Sequence, residues 1–233
     1  MGYTITLATG RIHSSVGYAI EYFDFVNYVI TDTGAFCYDA YDSYSIFNHT
    51  IDLEIAEKIT KFYDENCEFI EINTKNMIYK YSDLEENNEF MMTVKDWDYI
   101  FNNYSKITPI SLSMKTNDQL MAVYEKMKKE LPELDIHIIQ DSFANKKWLK
   151  IIKKGYNKYT AVCELAKFIN VKNQEIIAFG DGLSDIDMLK NCGVGGAVSH
   201  ALPNVKENAQ YVTTYDHNHD GVIEFLKTYL NVS

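Results

Sequence analysis

Apolar positions along this chain switch between the strand period of two and the helix period of about 3.6, and the switches delimit its elements. Tyr3 to Ala8 is a short β-rich run, His13 to Phe23 carries helical spacing, and Val26 to Thr31 is a second apolar run that stops at Asp32-Thr33-Gly34. This order predicts a βαβ unit. Two alternating runs around Cys37 and Tyr44 predict a hairpin. From Asp52 to Tyr63 the recurrence of Leu53, Ala56, Ile59 and Phe62 predicts a helix.

The pattern then changes. Strand-like runs at Glu68 to Asn73 and Met77 to Tyr81 lead into an Asn/Glu-rich loop, a strand at Ile107 to Met114, a helix from Asn117 to Leu131 and a strand at Asp135 to Gln140. Such a succession predicts an α+β insertion with its own sheet. After Trp148 to Ile152, βα alternation resumes: a helix at Lys158 to Ile169, an apolar strand at Ile176 to Phe179, a helix from Asp185, a strand near Val194 to Val198 and a last helix at Val222 to Tyr229. The expected fold is therefore α/β, a doubly wound core interrupted by an α+β domain. The core takes residues 1–48 and 148–233, and the insertion takes 49–147.

Composition narrows the function. Acidic residues outnumber basic ones by enough to give a formal net charge of −11, a field that repels nucleic acid. No apolar run is long enough to span a bilayer and no secretory leader is legible, so a cytoplasmic protein without membrane partners is expected. Cys37, Cys67, Cys163 and Cys192 show no paired spacing of the kind that binds zinc, and reduced thiols are expected. Arg11 is the single arginine, and it follows Thr9-Gly10.

Three segments carry chemistry. Ile176 to Phe179 delivers Gly180-Asp181-Gly182-Leu183-Ser184-Asp185 to the carboxyl end of a buried strand, where doubly wound sheets bind ligands. Two carboxylates four residues apart across such a turn can share a hard cation beside a phosphate. The alternative is that Asp181 caps a turn and Asp185 a helix. Asp187 reads as a first-turn helix carboxylate on the outside. Thr9-Gly10-Arg11 again sets a hydroxyl and a glycine at a strand end, a turn able to offer backbone amides to an anion, although ordinary strand-to-helix turns look the same. Lys158 stands at a helix start, where the positive end of the helix dipole disfavours a cation unless a carboxylate or other anion compensates. A solvated surface lysine is the competing reading.

In order and content these segments resemble the Cof-type branch of the haloacid dehalogenase superfamily. The likeness runs through Leu7-Ala8-Thr9-Gly10-Arg11, Gly34-Ala35, the inserted cap, Lys154-Gly155 with Lys158, Gly180-Asp181-Gly182 with Ser184-Asp185, Ala201-Leu202-Pro203-Asn204 and Asp220-Gly221-Val222. The resemblance implies a magnesium-dependent phosphatase of small phosphorylated metabolites, with a cap domain that closes over the site. It implies Thr9 and Lys158 as catalytic groups, Thr9, Gly10, Arg11, Lys158 and His200 as substrate contacts, and Asp181 with Asp185 as metal ligands. His200 enters because Ser199-His200 stands where the family usually has Gly-Asn. Thr33 and Ser184 stand where it often has asparagine.

One departure concerns mechanism. The family's nucleophile lies in an Asp-x-Asp-Gly strand well upstream of Thr-Gly-Arg, whereas eight residues precede Thr9 here. On this reading the chain as given is inactive, its core lacks the first strand, and the two strands that flank that position keep unpaired edges, leaving room for a homodimer. The alternative function is a catalytically dead phosphate- or metabolite-binding or interaction protein. His217-Asn218-His219 reads as a polar loop rather than a metal site.

Overall fold

The computed structural model describes residues 2–74, 77–140 and 146–231, so 75–76 and 141–145 of the expected insertion lie outside the described residues. The chain divides into two compact units, Met1–Tyr156 and Asn157–Ser233.

The first unit opens with β1 (Thr6–Ala8), α1 (Gly17–Tyr22) and β2 (Tyr28–Thr31), with β1 and β2 parallel from Thr6↔Tyr28 to Ala8↔Ile30. This is the βαβ unit that the periodicity predicts. The helical spacing from His13 begins as a 3-10 turn, His13–Ser15, before α1. The hairpin of β3 (Phe36–Asp39) and β4 (Ser45–Asn48) extends the sheet to the order β1-β2-β3-β4. Val16, Val26, Val29, Phe36 and Tyr38 form its buried cluster.

After α2 (Leu53–Thr60), a second sheet takes over. Its strands are β5 (Cys67–Asn73), β6 (Ile78–Ser82), β7 (Met91–Val94), β8 (Ile110–Met114), β9 (Leu134–Gln140) and β10 (Lys147–Lys153), with α3 (Asp98–Asn103) and α4 (Asn117–Glu130) between them. The spatial order is β7-β6-β5-β8-β10-β9. The expected boundary between residues 147 and 148 falls at the start of β10, all of which belongs to this sheet. Periodicity missed β7 and α3, because a four-residue strand and a six-residue helix are too short to establish a period beside an Asn/Glu-rich loop.

Strand alternation gives this sheet two unlike faces. Ile70, Ile72, Ile110, Leu112, Leu149 and Ile151 share one face and form the main core with Ala56 and Ile59 of α2, Ile100 of α3, and Leu120 and Met127 of α4. The other face carries a polar row: Thr93, Lys80, Glu71, Ser111, Lys150 and His137 are cross-strand partners in that order.

The second unit holds α5 (Lys158–Phe168), β11 (Ile177–Gly180), α6 (Ile186–Asn191), β12 (Val194–Ala197), α7 (Pro203–Asn208), β13 (Tyr211–Val212) and α8 (Gly221–Leu230). Its strands form a parallel sheet, β11-β12-β13. Ala178 packs with Met188 and Leu189 of α6, while the neighbouring Phe179 meets Phe225 of α8 edge-on. Adjacent strand residues thus pack against different helices, as a doubly wound sheet requires. Among the described residues, β1 and β11 each pair along one edge only. Cys37, Cys67 and Cys192 are buried and Cys163 is partly so, and none forms a disulfide. No helix among the described residues is long and apolar enough to cross a membrane.

Leu112 is fully buried on the central strand β8. Leu112→Ala should lower the unfolding free energy by about 2–5 kcal/mol in a urea titration.

Candidate active site

The second unit builds its site at the carboxyl end of β11. Asp185 is 4% exposed and spends both carboxylate oxygens: Oδ1 accepts from Lys158 Nζ at 2.6 Å, and Oδ2 accepts from the Gly182 and Asp181 amides at 3.0 and 3.2 Å. The carboxylate that must offset Lys158 at the start of α5 is therefore Asp185. Its side chain folds back over the strand end, which only a glycine permits: a Cβ on Gly180 would lie 2.5 Å from the Cβ of Asp185. Lys158 is itself buried, at 7% exposure, so this is an interior ion pair and not a surface one.

Asp181 has the opposite environment. Its side chain is 61% exposed, and Oδ2 lies 3.4 Å from Nε2 of His200, whose ring stands edge-on to His217 at 4.3 Å between centroids. The two aspartates expected to share a cation are thus differently placed: Asp185 points inward with both oxygens engaged, and Asp181 points outward. Asp187 is exposed and accepts from Asn157 Nδ2 at 2.9 Å. Asn157 in turn caps α5, accepting from the Thr160 amide at 2.9 Å while its own amide donates to the Thr160 hydroxyl.

Sequence reasoning missed two supports of this site. Asn157 was legible as a polar residue just before a helical run. Thr213 is buried and accepts from the Ser199 amide at 3.0 Å, which fixes the loop carrying His200; nothing local in the sequence signals it. His217–His219 is an exposed 3-10 turn in which Asp216 accepts from the Asn218 amide and from His219. Among the described residues, no group of three or more His, Cys, Asp or Glu side chains converges as a metal centre.

Thr9, Gly10 and Arg11 belong to the first unit. The turn is tied to the end of β2: the Thr9 amide donates to the Ile30 carbonyl, the Asp32 amide to the Arg11 carbonyl at 2.8 Å, and the Thr33 amide to the Thr9 carbonyl at 3.2 Å. The Arg11 amide is spent on Thr9 Oγ1 at 3.1 Å, so the turn offers an anion the Gly10 amide and the Thr9 hydroxyl proton. Arg11 is exposed. Beside the turn, Asp32 is 2% exposed; burial pushes its carboxyl up to about 6, against the lowering influence of Lys150, the Thr31 hydroxyl and the His13 amide.

The sequence profile of haloacid dehalogenase-like hydrolases matches residues 1–226. The chain is 24% identical over 247 residues to the 5-amino-6-(5-phospho-D-ribitylamino)uracil phosphatase YitU of Bacillus subtilis, covering 99% of this chain and 86% of that one. Among solved structures, a haloacid dehalogenase-like hydrolase from Bacteroides thetaiotaomicron superposes with a TM-score of 0.82 at 18% identity, over 98% of this chain and 87% of its own. BT1666 from the same organism, described as one of the phosphatases of that enzyme superfamily, gives a TM-score of 0.80 at 22% identity, over 100% and 83%.

Lys158→Met leaves a buried carboxylate uncompensated and should cost about 3–5 kcal/mol in denaturant titration. Asp187→Ala, on the exposed side of α6, should cost less than about 1 kcal/mol. Equal losses would remove the ion pair from its structural role. Asp32 gives a pH signature. Its folded value lies above the ordinary 3.8, so between about pH 4 and 6 the folded chain holds a proton that the unfolded chain has lost. Wild-type stability should fall across that window relative to Asp32→Asn, by up to about 3 kcal/mol, in urea titrations run at each pH.

Proposed function

The chain belongs to the haloacid dehalogenase-like hydrolase family, and from that footing we propose that it is a Cof-type phosphatase of small phosphorylated metabolites that uses magnesium. The observation that carries this reading is the contrast at the end of β11, where a buried Lys158–Asp185 ion pair lies beside an exposed Asp181 carboxylate. Magnesium takes one or two protein carboxylates and otherwise keeps water and phosphate oxygens, so Asp181 suits it as a direct ligand, with Asp185 behind. When bound, the cation neutralises charge that develops on phosphoryl oxygens.

The remaining roles follow from the donors each residue has left. The Thr9 hydroxyl and the Gly10 amide hold phosphoryl oxygens, and the Arg11 guanidinium attracts the anion. Lys158 supplies fixed positive charge, already oriented by Asp185, so little reorganisation accompanies the reaction. His200 contacts substrate from the loop that Thr213 fixes. Residues 1–48 and 148–233 serve as the catalytic core, and 49–147 as a cap that selects the leaving group. A homodimer would form through an exposed strand edge.

The covalent route of this chemistry needs a carboxylate oxygen to attack phosphorus, and no Asp-x-Asp-Gly run occurs within the 233 residues. We expect the 233-residue polypeptide to bind phosphate and cation better than it turns substrate over.

In titration calorimetry, Asp181→Ala should weaken magnesium binding by about tenfold or more, about 1.4 kcal/mol, while Asp187→Ala leaves it nearly unchanged. Similar losses would defeat the assignment of Asp181. For activity, hydrolysis of an aryl phosphate with magnesium should be negligible for this polypeptide and return when an Asp-x-Asp-Gly strand is added upstream. Binding without hydrolysis in both forms would favour a metabolite-binding protein, and robust hydrolysis by the unextended chain would place the nucleophile elsewhere.

A further inference from the structure

Of the strand edges left open among the described residues, the outer edge of β9 is the longest and the least guarded. β9 ends the order β7-β6-β5-β8-β10-β9 and pairs with β10 alone. Its seven residues, Leu134–Gln140, meet β10 in an unbroken antiparallel register from Lys153↔Leu134 to Lys147↔Gln140. The other outer strands are shorter: β1 has three residues, β4, β7 and β11 four each, and β13 two. Natural edges are protected by shortness, by a bulge, or by proline and lysine. β9 has none of these, because Leu134-Asp135-Ile136-His137-Ile138-Ile139-Gln140 contains no proline, glycine, lysine or arginine and its ladder with β10 has no register shift.

Alternation decides which side chains an added strand would meet. Leu134, Ile136 and Ile138 lie on the face that carries the helices and pack with the main core, while Asp135, His137 and Ile139 lie on the polar face. The Gly155 amide donates to Asp135 Oδ2 at 2.7 Å, so that carboxylate is already held in place. If β9 pairs antiparallel with a second β9 about a two-fold axis, opposed residues must share a face, which leaves few registers. Centred on Asp135, the pairing opposes two carboxylates. Centred on His137 it sets Leu134 against the partner's Gln140 and Asp135 against the partner's Ile139. Centred on Ile138 it sets Ile136 against the partner's Gln140 and His137 against the partner's Ile139. Centred on Ile136 it sets Leu134 against the partner's Ile138, Asp135 against the partner's His137, and Ile136 against the partner's Ile136. Of these four, the last alone matches apolar with apolar and carboxylate with imidazole at every position.

We propose that β9 is a dimer edge: two copies of this chain pair their β9 strands antiparallel with Ile136 on the two-fold axis, so that two six-stranded sheets run on as one. The occupant is a second copy because the edge is complementary to itself in that register. Pairing extends the backbone ladder and removes an aggregation hazard. No residue of β9 belongs to the Asp181 or Thr9 sites, so the proposal stands or falls apart from the phosphatase reading.

Sedimentation velocity of the whole chain between about 1 and 100 μM should show a mass rising from 26.9 kDa toward twice that value. Over the same range, amide hydrogen exchange should slow in β9 and stay unchanged in β7 and β13. Ile136→Cys should give a disulfide-linked dimer under mild oxidation, since directly opposed strand residues have Cα atoms about 4.5–5.5 Å apart, within the span of a disulfide. His137→Cys, which faces Asp135 instead, should not, and the wild type with its own cysteines is the control. His137→Asp opposes carboxylates at two positions and should weaken dimerisation about tenfold. A chain that stays monomeric throughout, as it would if the edge took a strand from another protein, overturns the proposal. So does a dimer that survives His137→Asp and leaves Ile136→Cys uncrosslinked, because its contact then lies elsewhere. Should His137→Asp not fold, the crosslink and the exchange in β9 decide.

Discussion

The architecture of the second unit follows from engaging both oxygens of the buried Asp185 carboxylate. Lys158 has to come from the first turn of α5, which ties that helix to the end of β11. The Asp181 and Gly182 amides have to turn inward, which shapes the loop after the strand. Gly180 has to lack a side chain. With these requirements met, the Asp181 carboxylate is left facing outward.

Much of this was legible beforehand. An unbroken apolar run followed by Gly-Asp-Gly marks a parallel strand ending in a tight turn, and a lysine at a helix start calls for an anion nearby; both expectations correspond to what Lys158 and Asp185 do. The unlike environments of Asp181 and Asp185 could not be read, because spacing fixes distance along the chain and says nothing of which oxygen meets which donor. Thr213 and Asn157 show the same limit, since their partners depend on how loops return.

The first unit divides in a similar way. Its βαβ start, hairpin and long central strands follow from periodicity, whereas β7 and α3 are too short to declare a period. Lys150 was visible as one lysine among Trp148, Leu149, Ile151 and Ile152, yet its burial between Ser111 and His137 of the neighbouring strands was not. Asp32 was visible as the residue ending a strand, and its left-handed backbone was not, because aspartate enters that region at some turns and not at others.

The two-faced sheet of β5 to β10 has an evolutionary consequence. Alternation places Ile70, Ile72, Leu112, Leu149 and Ile151 against the helices, while Glu71, Lys80, Ser111, Lys150 and His137 lie on the reverse face of the same sheet. The two sets are interleaved in sequence but separate in what they contribute. Drift in the polar set can change charge and hydrogen-bonding capacity residue by residue without opening a cavity in the aliphatic layer. Lineages descended from one ancestor could then diverge in the molecules they recognise while inheriting the same scaffold, because the strand's period of two assigns heredity of shape to one face and room for novelty to the other.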